Sequence, residues 1–301
     1  MGQIGFNVSL RGLWLCFLVF SGCRESSESQ STATQELGFP RIVSLSPAIS
    51  RTLVDFDLED QMVGRTPYCE SIPQDIPIVG DLYNLDYEML IRVNPTHILL
   101  QPPSSGIDST LKKLAEEHNW SIGSWMMDTI DDIEQMVREL PGVLYEHDQE
   151  RFSEAASRAA RLTNELASSL IPEGKHVYRG RTLIMSGLDP VLAYGPGTFL
   201  YEMYRSLGGA NVVETEGYPM YSLEDVVRLN PEAIVIIKPF ADEGVDPLSL
   251  LGALSETPIK AVQSGRLGVL IHQDALLPST GLIGVATEMR EILVSFATNQ
   301  P

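Results

Sequence analysis

The histidines and serines of this chain do not fall at the spacings that catalytic or metal sites require. Its five histidines are His97, His118, His147, His176 and His272. No two of them stand at the helical spacing of a metal-binding pair such as HExxH. Ser46 and Ser186 each follow a predicted strand but lack the G-x-S-x-G turn that exposes a nucleophilic serine. The pattern argues against an enzyme and against a receptor for a bare metal ion.

Aromatic and polar residues suited to binding follow several predicted strands. Ligands of open α/β sheets lie beyond the carboxyl ends of the strands. In the first half of the chain this rule selects a rim with Ser46, Tyr68, Leu82, Tyr83 and Gln101. In the second half it selects a rim with Tyr194, Tyr218, Tyr221, Lys238, Phe240 and Asp274. His272 is at the same rim and is a further candidate, whereas His97 falls in a predicted buried strand.

A duplicated motif positions these rims. Residues 86–100 read DYEMLIRVNPTHILL and residues 222–236 read SLEDVVRLNPEAIVI. Each copy predicts a helix that begins at an N-cap, has an acid in its first turn and ends at Asn-Pro, followed by a buried strand. The motif aligns Glu88 with Glu224 and Asn94 with Asn230. A repeat of this period indicates duplication of a lobe rather than a solenoid.

The surrounding pattern of strands and helices predicts an α/β fold of two Rossmann-like lobes with mainly parallel sheets. We expect the first lobe over residues 40–141 and the second over 175–301. Residues 142–174 should form the connection, because 145–171 contain no Gly or Pro and predict one helix of roughly 40 Å. Such a helix is either a rigid spine between the lobes or an ordinary amphipathic helix packed on one of them.

The start of the chain carries a targeting signal. Residues 1–22 contain one charge, Arg11, and an apolar run too short to span a bilayer as a stable helix. The following Ser-Gly-Cys23 resembles a bacterial lipoprotein signal, although Phe20 stands where Leu is usual. That resemblance implies lipidation of Cys23, a flexible tether over 23–39 and an anchored protein at the periplasmic or extracytoplasmic face of a membrane. A simple signal peptide or an uncleaved anchor is the alternative.

The net charge of the chain limits the classes of partner, and its cysteine content limits the possible disulfides and metal sites. The net charge of −19 argues against nucleic acid and an anionic membrane surface as main partners. Of the three cysteines, Cys16 lies in the signal and Cys23 is the lipidation candidate, which leaves Cys69 alone. An internal disulfide and a cysteine-based metal site are therefore not expected.

Five segments together resemble the helical-backbone (class III) substrate-binding proteins of ABC importers, most closely the periplasmic vitamin B12-binding proteins. They are RIVSLSPAIS at 41–50, VGRTPYC at 63–69, VGDLYNLDYEMLIRVNP at 79–95, SLGGANVV at 206–213 and the motif at 222–236. The resemblance implies a monomer that binds a ligand between its lobes and docks on a permease dimer with its ATPase. It also implies that Glu88 and Glu224 pair with arginine pockets of the permease. Alternatively, both are favourable first-turn acids of their helices.

The resemblance carries over to the ligand residues less completely. Tyr68 and Tyr218 match aromatic contacts of the B12-binding proteins, and Asp274 matches an acidic one. Leu82 and Leu192 stand where aromatics are expected, although Tyr83 and Tyr194 lie close by, and Pro278 replaces an arginine. The expected ligand residues are therefore Tyr68, Tyr83, Tyr194, Tyr218 and Asp274.

The few cationic residues predicted near the cleft indicate which class of ligand it binds. Anionic siderophores usually need a cluster of arginines and lysines, and only Arg65 and Lys238 are obvious candidates. This favours cobalamin or a related cobalt corrinoid, and no separate cofactor or metal site is expected. A ferric siderophore or haem is the alternative within the importer class. A surface lipoprotein that scavenges or senses its ligand without a permease is the alternative from another class.

Overall fold

The computed structural model describes residues 38–172, 177–188, 190–240 and 244–298. The predicted signal peptide, Cys23, nearly all of the predicted tether and His176 lie outside these ranges. Residues 37–301 form one compact unit that carries every element described below. In the described ranges, no helix combines the length and apolar character needed to cross a bilayer.

The first lobe is a four-stranded parallel sheet with helices. Its elements are β1 Ile42–Ser44, α1 Pro47–Asp55, a 3-10 turn Glu59–Gln61, β2 Met62–Arg65, α2 Tyr87–Val93, β3 His97–Leu100, α3 Ser109–His118, β4 Ser121–Ser124 and α4 Ile130–Leu144. The strand order is β2-β1-β3-β4, with every neighbouring pair parallel. The carboxyl ends of these strands consequently face one edge of the sheet.

One helix, α5 Gln149–Ser169, connects the lobes. Its 21 residues give a length of about 31 Å. It is shorter than the helix expected over 145–171, because Asp148 caps its amino terminus by accepting a hydrogen bond from the backbone N–H of Arg151. A turn precedes that cap, and the segment 142–144 belongs to the last turn of α4.

The second lobe contains a mixed sheet. Its elements are β5 Arg181–Ser186, β6 Val191–Ala193, α6 Phe199–Ser206, β7 Ala210–Asn211, β8 Met220–Tyr221, α7 Leu223–Leu229, β9 Ala233–Ile237, a 3-10 segment Pro247–Glu256, α8 Lys260–Gln263, β10 Leu267–Leu270 and α9 Leu282–Thr298. The order is β10-β9-β5-β6-β8, and β7 also pairs with β5. The strands β10, β9, β5 and β7 are parallel, whereas β6 and β8 join antiparallel. The predicted pair of mainly parallel α/β lobes is confirmed.

The duplicated motif has the same local structure in both lobes. Helices α2 and α7 have seven residues each and begin at Asp86 and Ser222, whose side chains accept hydrogen bonds from backbone N–H groups of the first turn. Both end at an asparagine in the left-handed conformation, with φ of 45° at Asn94 and 44° at Asn230. The strands β3 and β9 follow directly. The helix–turn–strand prediction is therefore confirmed in both copies.

The largest cluster of buried apolar side chains spans both lobes. It includes Leu53 of α1, Leu140 of α4, Leu166 of α5, Met203 of α6 and Met289 of α9. Helix α5 packs against α4 of the first lobe and α9 of the second. Because the lobes share this interior, their facing loops have fixed positions on either side of a cleft.

Candidate ligand cleft

A cleft lies where loops from the two lobes meet beyond the carboxyl ends of their strands. Its enclosed part has a volume of about 180 Å³. The lining residues are Tyr68, Glu70, Ser71, Pro239, Phe240, Gln273, Asp274, Leu276 and Leu277. Two aromatic side chains, Tyr68 of the first lobe and Phe240 of the second, are 64% and 68% exposed. Exposed aromatic side chains on both sides of a concave surface are typical of a ligand site.

An ionic network joins the lobes and reaches the cleft through Asp274. We name it the clasp and define it as Arg51, Asp55, Asp274 and Thr280. Nε of Arg51 donates to Oδ2 of Asp274 at 2.9 Å, and its Nη1 donates to Oδ1 of Asp55 at 2.9 Å. Thr280 donates from Oγ1 to Oδ2 of Asp55 at 2.5 Å. Burial disfavours the charge of Arg51, but the carboxylates of Asp55 and Asp274 together raise its pKa. Arg51 and Asp55 belong to α1, whereas Asp274 and Thr280 belong to the loop between β10 and α9.

The predicted ligand residue Asp274 is therefore already engaged. Its side chain is only 4% exposed, and Oδ2 faces Arg51. Its Oδ1 accepts no hydrogen bond from another described residue. Asp274 thus combines a contact between the lobes with a carboxylate oxygen at the cleft lining.

A second aromatic group lies on the C-terminal lobe. Tyr218 is 42% exposed and meets the ring of Tyr194 edge-on at a centroid distance of 5.9 Å. Burial, assisted by the charge of Asp128 from the other lobe, raises the pKa of Tyr218 to about 12. Tyr194 is only 3% exposed, and its hydroxyl lies 2.8 Å from Oγ of Ser186. Tyr218 is the exposed ring of this pair and Tyr194 the buried one, and neither lines the enclosed part of the cleft.

Tyr83 is on a separate loop of the first lobe and is strongly exposed. The carboxylate of Asp81 accepts hydrogen bonds from the backbone N–H groups of Tyr83 and Asn84. The loop is thereby shaped as an Asx turn that leaves the phenol free. Tyr83 is not among the residues that line the enclosed part of the cleft.

The two cations expected near the cleft differ in availability. Arg65 is buried and donates to the backbone oxygens of Thr66, Gln74 and Ile76 at 2.9–3.1 Å. Its guanidinium is therefore committed to the loop after β2. Lys238 is half-buried and forms no ion pair with another described residue.

The side chains of the remaining candidates for metal binding or nucleophilic chemistry, His272 and Cys69, contact other residues of the protein. Nδ1 of His272 accepts from the backbone N–H of Asp274 at 3.1 Å, and its Nε2 lies against Gly284 of α9. Cys69 is fully buried, with its Sγ 3.1 Å from Oγ of Ser50 and 3.2 Å from Oγ1 of Thr66. Across the part of the chain that the structure describes, no group of His, Cys, Asp and Glu is arranged to hold a metal ion.

Glu88 and Glu224 occupy equivalent, exposed positions in the first turns of α2 and α7. Neither forms a hydrogen bond or an ion pair with another described residue. The neighbouring acids Asp86 and Asp225 instead cap the two helices. Both glutamates are free for an external partner.

Sequence reasoning missed Arg51. It is four residues from Asp55 on α1, a spacing that predicts a local ion pair. Its second partner, Asp274, is 223 residues away in the chain. Only the folded arrangement of both lobes reveals that contact.

The chain is similar in sequence to known ligand-binding proteins, although the similarity is low. No known family profile matches the chain. The vitamin B12-binding protein of Salmonella typhi is 24% identical over 205 residues, which cover 65% of this chain and 72% of that protein. The corresponding protein of Salmonella typhimurium is 25% identical over the same length and coverage.

Solved structures share the architecture over nearly the whole described chain. The periplasmic vitamin B12-binding protein of Vibrio cholerae superposes with a TM-score of 0.64 at 17% identity, covering 87% of this chain and 100% of its own. The periplasmic haem-binding protein of the same organism has a TM-score of 0.64 at 18% identity, with coverages of 85% and 98%. A possible iron-binding periplasmic solute-binding protein of Staphylococcus epidermidis has a TM-score of 0.64 at 18% identity, with coverages of 84% and 98%. The chain therefore has the two-lobed, helix-connected fold of these substrate-binding proteins, and the resemblance to them predicted from its motifs is confirmed.

Proposed function

We propose that the chain is the extracytoplasmic substrate-binding component of an ABC importer and that it binds cobalamin or a related corrinoid between its lobes. The supporting observation is a cleft with exposed aromatic side chains on both lobes, whose lining residue Asp274 is paired with an arginine that also holds Asp55. A corrinoid offers a broad apolar ring for the aromatic walls. Its amide side chains offer N–H donors for acceptors such as Oδ1 of Asp274.

Charge favours a corrinoid over a carboxylate-bearing chelate. Among the described residues, the charged ones that line the enclosed cleft are Glu70 and Asp274. Arg51 and Arg65 have committed their guanidinium groups elsewhere, which leaves Lys238 as the nearby cation among the candidates considered. A haem with two propionates or an anionic siderophore would meet a predominantly acidic surface.

The cleft is less suited to haem than to a corrinoid. Ferric haem is often held by a phenolate, and Tyr68, Tyr83 and Tyr218 are the exposed phenols of the two lobes near this edge. The raised pKa of Tyr218, about 12, disfavours its phenolate. The haem-binding structural neighbours nevertheless make haem the natural competing ligand for a direct test.

Delivery would use the two free glutamates. Glu88 and Glu224 are related by the lobe duplication, and two equivalent acids suit the twofold symmetry of a permease dimer with its ATPase. We expect each to pair with a basic pocket of the permease. In this proposal the protein acts as a monomer held to its membrane by a lipid on Cys23.

Calorimetric titration of residues 37–301 with cyanocobalamin tests the ligand. We expect sub-micromolar binding that Tyr68→Ala weakens, because Tyr68 lines the enclosed part of the cleft. Tyr218→Ala should also weaken binding if the ligand extends to the exposed ring of Tyr218 on the second lobe. Phe39→Ala is the matched control, since Phe39 is 66% exposed but lies against Arg151 of α5. Parallel titrations use haem and a ferric siderophore. Tight binding of either of these without corrinoid binding would move the ligand to the alternative class.

Glu88→Ala/Glu224→Ala tests delivery. The double variant should bind cyanocobalamin normally but fail to associate with the cognate permease in nanodiscs. Glu116→Ala/Glu291→Ala is the control, because it removes one exposed acid from each lobe outside the duplicated helices. Association that survives in the Glu88/Glu224 variant would refute the docking role. A protein that binds ligand but no permease would instead support the scavenging or sensing function.

A further inference from the structure

A basic pocket lies at the edge of the second sheet where its parallel strands begin. The proposed import function does not involve this pocket. We name it the edge pocket; it is an open concavity of about 610 Å³. Its lining includes Tyr178, Glu232, Lys260, Gln263, Ser264 and Arg266. Because β5, β9 and β10 begin here, the pocket is at the opposite edge of the sheet from the ligand cleft.

The sheet register brings three charged residues into a row at this edge. The backbone N–H of Glu232 donates to the carbonyl of Arg181 at 2.7 Å, and that of Ile234 donates to the carbonyl of Arg266 at 3.0 Å. Lys260 joins the row from α8. Three cations therefore surround one acid, although the whole chain carries a net charge of −19. The local charge is opposite in sign to that of the molecule.

Each carboxylate oxygen of Glu232 has a hydrogen-bond partner, whereas the guanidinium of Arg266 has none among the described residues. Oε2 of Glu232 accepts from the backbone N–H of Arg181 at 3.2 Å, and Oε1 accepts from Nζ of Lys260 at 3.3 Å. The hydrogen bond from the Arg181 backbone is the main cause of the lowered pKa of Glu232. Within the described ranges, the guanidinium of Arg266 contacts the ring of Tyr178, 5.4 Å from its Cζ, and its buried Nε has no acceptor there. Buried donors in folded proteins normally have one.

The duplicated lobe shows that the fold does not require this arrangement. At the corresponding edge of the first lobe, the backbone N–H of Arg41 donates to Oγ1 of Thr96, where the second lobe uses Glu232. The guanidinium of Arg41 turns to the carbonyls that end α2. Trp120 directly precedes β4, as Arg266 precedes β10. The basic pocket is thus particular to the second lobe.

We propose that the edge pocket binds a phosphate-type oxyanion, with Arg266 as the principal donor. The guanidinium fork matches two oxygens of a phosphate, and Lys260 adds a mobile point charge. Gln263 and Ser264 supply neutral polar groups at the rim. The shared chemistry is a phosphate monoester, diester or free phosphate, and occupancy leaves the cleft untouched.

Phosphorus-31 NMR of inorganic phosphate, titrated against the full chain in detergent micelles, tests the site. We expect saturable broadening with a dissociation constant of about 1 mM or tighter. Arg266→Gln should weaken binding about tenfold, the effect of one lost charged hydrogen bond. Lys260→Gln is a second variant at an exposed position and should weaken it less. Arg228→Gln is the control, because Arg228 is an exposed arginine of the same lobe that pairs with Asp225 at 2.9 Å.

A second arm distinguishes the source of the oxyanion. Sedimentation with phosphatidylglycerol vesicles, against phosphatidylcholine vesicles, reports binding of a lipid headgroup. Loss of either interaction in Arg266→Gln but not in Arg228→Gln supports the edge pocket and identifies its ligand form. Absence of both interactions in the wild-type chain, or equal binding by both variants, would overturn the proposal.

Discussion

The side chain of Arg51 connects the two lobes next to the cleft-lining residue Asp274. It is 19% exposed and holds one carboxylate from its own helix and one from the opposite lobe. A buried charge without a partner is costly, whereas a paired one contributes little beyond its hydrophobic replacement. The clasp therefore acts mainly by holding the lobes in one arrangement. Its contribution to the net free energy of unfolding is small.

Arg51→Met should lower the free energy of unfolding by about 3–5 kcal/mol, because it leaves the nearly buried carboxylate of Asp274 without its partner. Urea denaturation of residues 37–301 measures this difference. Arg138→Met is the control, since Arg138 is 54% exposed in its pair with Glu134 and should cost less than about 1 kcal/mol. Equal losses in the two variants would show that the clasp is not a buried ion pair in solution.

His97 predicts how stability depends on pH. Burial lowers its pKa below the ordinary value, partly opposed by a hydrogen bond with the backbone of Val143, and Oγ1 of Thr96 lies 2.7 Å from its Nδ1. The unfolded chain therefore binds a proton at His97 more readily than the folded chain. By linkage, stability is lost as the pH falls from about 6.5 towards the lower folded pKa and rises again on return to neutral pH.

The slope of unfolding free energy between about pH 7 and 5 should therefore be smaller in His97→Gln than in the wild type. Urea titrations at a series of pH values provide the measurement. His147→Gln, at an exposed loop position, should leave the slope unchanged. A wild-type slope in His97→Gln would assign the dependence to other groups.

At the scale of elements, the duplicated helix–turn–strand unit is what the sequence predicts best. Its signals are local: a capping side chain at the start of each helix, Asn-Pro at the end, and an apolar run after it. Both left-handed asparagines occur where such a turn needs them, since Asn tolerates this conformation better than other non-glycine residues.

Asn94→Ala and Asn230→Ala should each lower stability by about 1 kcal/mol, because alanine is strained in the left-handed region. Asn94→Gly and Asn230→Gly should be nearly neutral, as glycine adopts positive φ without a Cβ clash. Thermal unfolding of the four variants compares the two copies directly. A loss of stability in only one copy would show that the two turns contribute differently to stability, despite their nearly equal φ angles.

Predictions that depended on long-range packing were less complete. The expected rim placed Tyr194 beside the ligand surface, but its ring is covered by Tyr218. Arg65 looked available from its position after β2, yet it closes its own loop through three carbonyls. Neither the direction of a side chain nor its competing backbone acceptors can be read from local spacing, and the clasp depends on contacts between residues more than 220 positions apart.

At the scale of the molecule, several contacts fix the lobes relative to each other. Besides the clasp, the backbone N–H of Phe199 donates to the carbonyl of Asp128 at 2.7 Å. Oε2 of Glu202 on α6 accepts from the backbone N–H of Ile130, at the start of α4, at 2.9 Å. Together with the shared apolar interior and α5, these contacts leave little freedom for hinge motion. The cleft should therefore accept its ligand largely preformed.

Spin labels on Lys113→Cys and Arg228→Cys, one per lobe, can measure this rigidity, because these side chains are 75% and 77% exposed. Residues 37–301 lack Cys16 and Cys23, and the remaining Cys69 is buried and thus protected from the label. Saturating cyanocobalamin should shift the mean distance by no more than about 2 Å, as in other preorganised complexes. Arg51→Met combined with Glu202→Gln should broaden the distance distribution of the free protein, because two of the polar contacts between the lobes are weakened. A shift of about 10 Å in the otherwise unmodified protein would instead mean that binding requires a hinge closure, in which case the clasp must break and re-form during each binding event.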